Sequence, residues 1–290
     1  LILDAHVHLF SPEIILRRHE LVAADRTFAE MYSDPAARMA TAEDLLGDMD
    51  EDGVDVSVAM GIGWSDPGLA RESNDYLSDV VRRHPGRIVG FGTVNPAGPN
   101  ATKGAASDAA NEVERCAALG LRGIGELHPD TQGFDIADPA VMSPILDVLK
   151  AHDMALTLHC SEPVGHTYPG KGRTTPDKVM GLVAIAQGVK LLLAHWGGGL
   201  PFYALMPEVA EALSDVYFDT AASPFLYDRR VFEVAQNVIK PSRILAASDY
   251  PLMRHSRIRK QVERADLSAP DRAAVLGENA ARLFGLKLKT

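Results

Sequence analysis

Cysteine is scarce: the 290 residues hold two, Cys116 and Cys160. One falls in a helical pattern and the other at a strand end, so no disulfide framework is expected, and the pair fits a reducing cytoplasm. Basic charge is also short. Lys and Arg number 29 against 39 Asp and Glu, a formal net charge of −10 with no basic stripe to offset it. That balance argues against nucleic acid or an anionic membrane surface as partner, while isolated basic groups remain available for a small anion. No apolar run reaches the roughly 18 residues that a membrane span needs. No Ser/Gly/Pro linker, charge block or low-complexity tract interrupts the chain, so residues 1–290 read as one domain.

What is present is alternation. Short apolar runs predict strands over Ile2–His8, Val54–Met60, Ile88–Val94, Leu121–Leu127, Met154–Cys160, Val189–His195, Val216–Thr220 and Arg243–Asp249. Several are apolar nearly throughout, as parallel strands covered on both faces are. Helical patterns lie between them: Ala42–Glu51 with Thr41 as cap and Gly53 as stop, Ala70–His84, Ala105–Leu119, Pro139–His152, Pro176–Gln187, Phe202–Leu213, Arg229–Ile239 and Pro270–Phe284. Eight β/α units in this length predict a (β/α)8 TIM barrel. A doubly wound sheet is the alternative, but no Gly-rich phosphate loop follows the first strand. The first connection, about residues 10–40, is far longer than the usual roughly 2–6 residues. Helix-like stretches at Glu13–Ala23 and Thr27–Tyr32 make it a helical insertion over the barrel rim that walls the pocket.

Barrels of this kind place their chemistry at the C-terminal ends of the strands. The first strand ends in His6-Val7-His8, whose two imidazoles share a face because strand side chains alternate. The fourth ends in Glu126, the fifth in His159, the sixth in His195 and the eighth in Asp249. Six side chains able to ligate metal thus meet on one rim, which predicts a divalent metal centre.

This pattern resembles the amidohydrolase superfamily, in particular the amidohydrolase-related branch that includes aminocarboxymuconate-semialdehyde decarboxylase. The resemblance spans nearly the whole chain. It rests on Asp4-Ala5-His6-Val7-His8, Gly123-Ile124-Gly125-Glu126-Leu127-His128, Leu158-His159, Ala194-His195-Trp196-Gly197-Gly198, Ser248-Asp249-Tyr250-Pro251 and the closing Glu278-Asn279-Ala280-Ala281-Arg282-Leu283-Phe284. It implies a first metal on His6, His8 and Asp249 and a second on His159 and His195, with Glu126 bridging. The alternative is one metal on His6, His8, His159 and Asp249, leaving His195 to bond substrate or water and Glu126 behind the ligands or on the substrate. Imidazole with carboxylate suits zinc, with manganese or iron as alternatives.

The chemistry expected from these ligands is hydrolysis. Metal-bound water would attack an amide, ester or lactone carbonyl, and Asp249 would pass its proton to the leaving group. A bridging acid at Glu126 favours this over the other reading, non-oxidative decarboxylation of an unsaturated or aromatic acid. A non-catalytic metal-stabilised barrel is the third reading, and the filled ligand positions argue against it. The loops at this rim carry specificity. Candidates to contact a small-molecule substrate, including a carboxylate-bearing one, are Trp64, Glu162, His166, Tyr168, Lys171, Arg173, Trp196 and Arg254. His128 follows Glu126 by two, but Pro129 marks the strand as already ended. Barrels of this sort often self-associate, so a homo-oligomer is a further expectation.

Overall fold

Strand order around the sheet follows chain order. β1 (Leu3–His8), β2 (Val56–Met60), β3 (Ile88–Gly92), β4 (Gly123–Leu127), β5 (Ala155–Leu158), β6 (Lys190–Leu193), β7 (Tyr217–Asp219) and β8 (Ile244–Leu245) pair in parallel with their neighbours. The computed structural model describes residues 1–98 and 104–287. Backbone bonds from Ala5 N to Ala246 O (2.9 Å) and from Asp249 N to His6 O (3.0 Å) join β1 to the β8 edge and close the barrel. Phe91 and Phe284 meet edge to face inside it, with ring centroids 5.6 Å apart. Gly123 leaves that space: a Cβ there would lie 2.5 Å from the Phe91 ring.

Two bulges aim the rim. Leu3 and Ala5 pack with Val58, Phe91 and Leu245, whereas Val7 and Leu9 pack with Leu45 and Leu77 of the helical layer. The β1–β2 register slips between Asp4 and Val7, so inward parity passes from odd to even residues and His6 and His8 point inward. The β4–β5 register slips between Ile124 and Leu127 in the same way. There Gly125 takes φ 145°, and a Cβ on it would meet Thr157 O at 2.6 Å. Glycine is therefore required for Glu126 to face the barrel mouth.

Helix limits follow local chemistry. Thr41 and Asp44 form a capping box that starts Ala42–Asp52, and Gly53 ends it in the left-handed region. The helix expected from Ala70 begins earlier, at Pro67, because Asp66 accepts from Leu69 N. The helix expected over Phe202–Leu213 is a 3-10 turn, Leu200–Leu205, and a short helix, Pro207–Ala212; Pro207 cannot continue the first. The last helix is divided by a π segment over Ala274–Glu278.

Between β1 and β2 lie α1 (Pro12–Leu16), α2 (Arg18–Ala24) and α3 (Arg26–Tyr32). Phe28 stacks on Trp64 with centroids 5.4 Å apart and planes 9° apart, and Phe10 meets Tyr32 edge to face at 5.1 Å. Each fully buried ring contributes roughly 2–3 kcal/mol, enough for this aromatic box to hold the three short helices across the rim. Among the described residues no helix is long and apolar enough to cross a membrane.

Candidate metal centre

The ends of β1, β4, β5 and β6 and the segment after β8 bring His6, His8, Glu126, His159, His195 and Asp249 together. Two triads form, His6–His8–Asp249 and Glu126–His159–His195, each with ligand atoms within 4.8 Å of one another. Glu126 lies between them. Its Oε2 is 3.6 Å from His6 Nε2 and 3.5 Å from His8 Nε2, while its Oε1 is 3.1 Å from His159 Nδ1 and 3.4 Å from His195 Nε2. His195 (φ 55°) and Asp249 (φ 65°) both adopt left-handed backbone, a cost that side chains other than glycine bear where surrounding structure demands it.

Acceptors behind the rings fix their tautomers. His6 Nδ1 donates to Asp219 Oδ2 at 2.8 Å, His8 Nδ1 to Gly61 O at 2.9 Å and His195 Nδ1 to Ala221 O at 3.1 Å. Each therefore presents its Nε2 to the cluster, as ligating histidines do. The His6 and His8 Nε2 atoms are only 3.1 Å apart. A proton on His6 or a divalent metal relieves the repulsion of two lone pairs at that separation, and the donor set of imidazoles and carboxylates fits the metal. His8 Nε2 is also 3.2 Å from Asp249 Oδ1.

The charges are strongly coupled. Burial opposes ionisation of Glu126, but His6 and His159 outweigh it and hold this carboxyl well below its usual range. Burial also opposes a charge on His6, yet Asp219 and Glu126 hold its proton well above the ordinary imidazole value. For His195, burial is overcome by Glu126 and then Asp249, and its pKa is pushed up to about 9. The Asp249 side chain is 14% exposed, against 0–7% for His6, His8 and Glu126. It is the most open of these groups.

Sequence reasoning passed over Asp219. This fully buried carboxylate at the end of β7 holds His6 through Oδ2 and the backbone N–H groups of His195 and Ala221 through Oδ1. It follows the same strand-end rule that singled out Glu126. His128 lies behind the cluster. Its ring stacks on His159 at 4.2 Å, its Nε2 bonds Gly170 O at 2.9 Å, and burial followed by His159 lowers its pKa to about 4.

The expected substrate contacts divide. Glu162 and Tyr168 face each other, with Tyr168 OH donating to Glu162 Oε2 at 3.3 Å. Tyr168 reaches the site's field: burial and Glu162, then Asp249 and Glu126, push its phenol up. His166 and Arg173 are exposed. Four expectations need correction. Arg254 is held by Asp48, Glu51 and Asp52 at 2.7–3.1 Å, so its charge is spent on helix Ala42–Asp52 and not on a ligand. Lys171 is turned to the carbonyls of Val164 and His166. Trp196 is fully buried against Phe232 and donates to Ser223 Oγ, which makes it packing beneath the rim. Trp64 is likewise fully buried, inside the aromatic box.

Comparison with known proteins places this geometry. Gamma-resorcylate decarboxylase of Polaromonas sp. strain JS666 is 23% identical over 75% of this chain and 76% of its own. The 2-amino-3-carboxymuconate-6-semialdehyde decarboxylase of Dictyostelium discoideum is 21% identical over 83% of this chain and 76% of its own. A mutant 5-carboxyvanillate decarboxylase of Novosphingobium aromaticivorans, solved with bound manganese and 3-methoxy-4-hydroxy-5-nitrobenzoic acid, superposes with a TM-score of 0.79 at 20% identity. That match covers 99% of this chain and 97% of the other. These findings overturn the expectation of carbonyl hydrolysis, since the relatives are decarboxylases. The inference from Glu126 failed because a two-oxygen span tells where cationic charge is held, not which bond breaks. The Amidohydrolase sequence model matches residues 3–286, essentially the whole barrel, and the chain belongs to the amidohydrolase family.

Proposed function

We propose that this protein is a metal-dependent, non-oxidative decarboxylase of an aromatic or unsaturated carboxylic acid. The observation that carries the reading is that two curated relatives, each matched over three-quarters or more of this chain, are decarboxylases. Manganese is the metal we put first, ahead of zinc, because a solved relative of the same fold carries it. His6, His8 and Asp249 would hold it, with Glu126, His159 and His195 alongside. When bound, the metal orients the substrate carboxylate and offsets its charge.

The remaining steps fall to the chain. Asp219, Gly61 O and Ala221 O hold three imidazoles in the tautomer that leaves Nε2 toward the cluster. The aromatic box of Phe10, Phe28, Tyr32 and Trp64 closes the rim and limits water. The bond from ring carbon to carboxylate breaks, its electron pair stays on carbon, carbon dioxide leaves and a proton takes its place. No oxidant is needed. His195, whose pKa is pushed up to about 9 against burial by Glu126 and then Asp249, carries the proton that carbon gains and regains one from water. Burial of Asp249 is outweighed by His8 and then His195 and His6, which hold it a carboxylate. We further propose that residues 1–290 act as one domain, and the two buried, unpaired cysteines support a reducing cytoplasm. The test is carbon dioxide release by manganese-loaded protein across a panel of hydroxylated benzoates and unsaturated acids. Release from at least one supports the reading; release from none contradicts it.

A further inference from the structure

Asp249 stands well beyond its strand. β8 ends at Leu245, and Asp249 adopts left-handed backbone at φ 65°. A residue other than glycine keeps such a backbone only where its surroundings over-determine it. Here three consecutive N–H groups centred on the ligand are tied down. Ser248 N–H donates to Asp4 Oδ1 at 2.9 Å, Asp249 N–H to His6 O at 3.0 Å and Tyr250 N–H to Ser248 Oγ at 3.1 Å. Two of the three therefore depend on side chains, those of Asp4 and Ser248.

The same carboxylate reaches the first strand. Where the β1–β2 register slips between Asp4 and Val7, His6 N–H donates to Asp4 Oδ1 at 3.3 Å. On the other oxygen, Ser248 Oγ–H donates to Asp4 Oδ2 at 2.5 Å, and His255 Nδ1, at the start of helix His255–Glu263, lies 3.2 Å away. Asp4, Ser248 and His255 are all buried. Hydrogen bonds to a carboxylate are roughly twice as strong as neutral ones. Asp4 thus joins the main chain of His6 to the main chain around Asp249, two members of one ligand triad, while lying outside that triad itself. Ser57 is the internal contrast. It pairs directly opposite Asp4 on β2 and is fully buried, yet its Oγ has no hydrogen-bond partner, so it takes no part in this clamp.

We propose that Asp4 and Ser248 are positioning residues: by clamping the main chain on both sides, they set His6 against Asp249 and so prepare the His6–His8–Asp249 triad for a divalent metal. Both act through the ligands rather than as ligands. This rests on reading that triad as the holder of the metal.

The test is the manganese affinity of the full chain, read by competition against a fluorescent chelator, together with urea unfolding of each metal-free variant. It needs no turnover, so the reaction assigned to the site does not enter. Asp4→Asn sets an amide donor against the backbone N–H groups or against Ser248 Oγ–H, whichever way it turns. Ser248→Ala leaves Tyr250 N–H without its acceptor. Each folded variant is expected to bind manganese about tenfold or more weakly, the usual cost of losing a group behind a metal ligand, and one folded variant suffices. Ser57→Ala is expected to stay within about twofold of the parent, since no bond is lost. A purely structural role would look different: unfolding would move to lower urea while the folded variants kept the parental affinity, and that result overturns the proposal. So does an equal loss in Ser57→Ala, or failure of both Asp4→Asn and Ser248→Ala to fold. A parent chain that binds no manganese overturns the assignment of the triad to a metal, and this proposal with it. A parent that binds, with unaltered variants, overturns this proposal alone.

Discussion

Asp219→Asn is the substitution that most sharply tests how the metal ligands are held. Asp219 is an acceptor on both oxygens: Oδ2 receives His6 Nδ1–H at 2.8 Å, and Oδ1 receives the N–H groups of His195 at 3.1 Å and Ala221 at 2.9 Å. Asparagine offers one acceptor and one donor. With its oxygen toward the two backbone donors, its amide faces His6 Nδ1, and His6 must move its proton to Nε2, the atom 3.1 Å from His8 Nε2. With the amide reversed, two buried backbone donors face a third. Either way a ligand or its support is lost. Substitutions behind metal ligands cost about 10–100-fold in affinity, or roughly 1.4–2.8 kcal/mol. The assay is competition titration of metal-free protein with manganese against a fluorescent chelator, with thermal unfolding as a check on fold. A folded Asp219→Asn protein that binds manganese within twofold of the parent would refute the reasoning.

Gly125→Ala should destabilise the protein by about 2–4 kcal/mol, from strained backbone plus a clash with Thr157; urea denaturation measures it, and a loss under 0.5 kcal/mol would deny that the bulge needs glycine. Metal affinity should fall as pH is lowered from about 9 to 6, because metal must displace protons from imidazoles whose pKa values are raised, that of His195 to about 9. Flat affinity across that range in the same chelator competition would exclude His6 and His195 as proton-competing ligands. Arg254→Ala should cost roughly 1–2 kcal/mol by removing the cation that Asp48, Glu51 and Asp52 share. Steady-state carbon dioxide release by this variant should stay within twofold, and a rise in KM beyond tenfold would return Arg254 to the substrate site.

Much of the barrel was legible because parallel strands buried on both faces leave near-continuous apolar runs, and the rim rule then located six metal-competent residues. Parity was not legible. The bulges that turn His6, His8 and Glu126 inward depend on pairing with β2 and β5, which the local pattern of β1 and β4 does not record. Asp219 escaped because a single acid at a strand end reads as a turn residue, and its worth lies in meeting His6 across a closed barrel, a separation of 213 residues. Arg254 was misplaced for the converse reason. It is close in sequence to Asp249, but its partners come from helix Ala42–Asp52, roughly 200 residues away in sequence. The reaction class was misread from Glu126 because hydrolases and decarboxylases share a demand for converging imidazoles and carboxylates, and ligand identity does not discriminate between them.

The central claim is that a carboxylate is lost and a proton gained at carbon. Manganese-loaded protein incubated with a decarboxylated substrate's parent acid in deuterated, oxygen-18-labelled water tests this directly. The account predicts one carbon dioxide per product, one deuterium on the vacated carbon and no labelled oxygen in the organic product. Labelled oxygen in the organic product without carbon dioxide, from that acid or from an ester, amide or lactone panel, would contradict it.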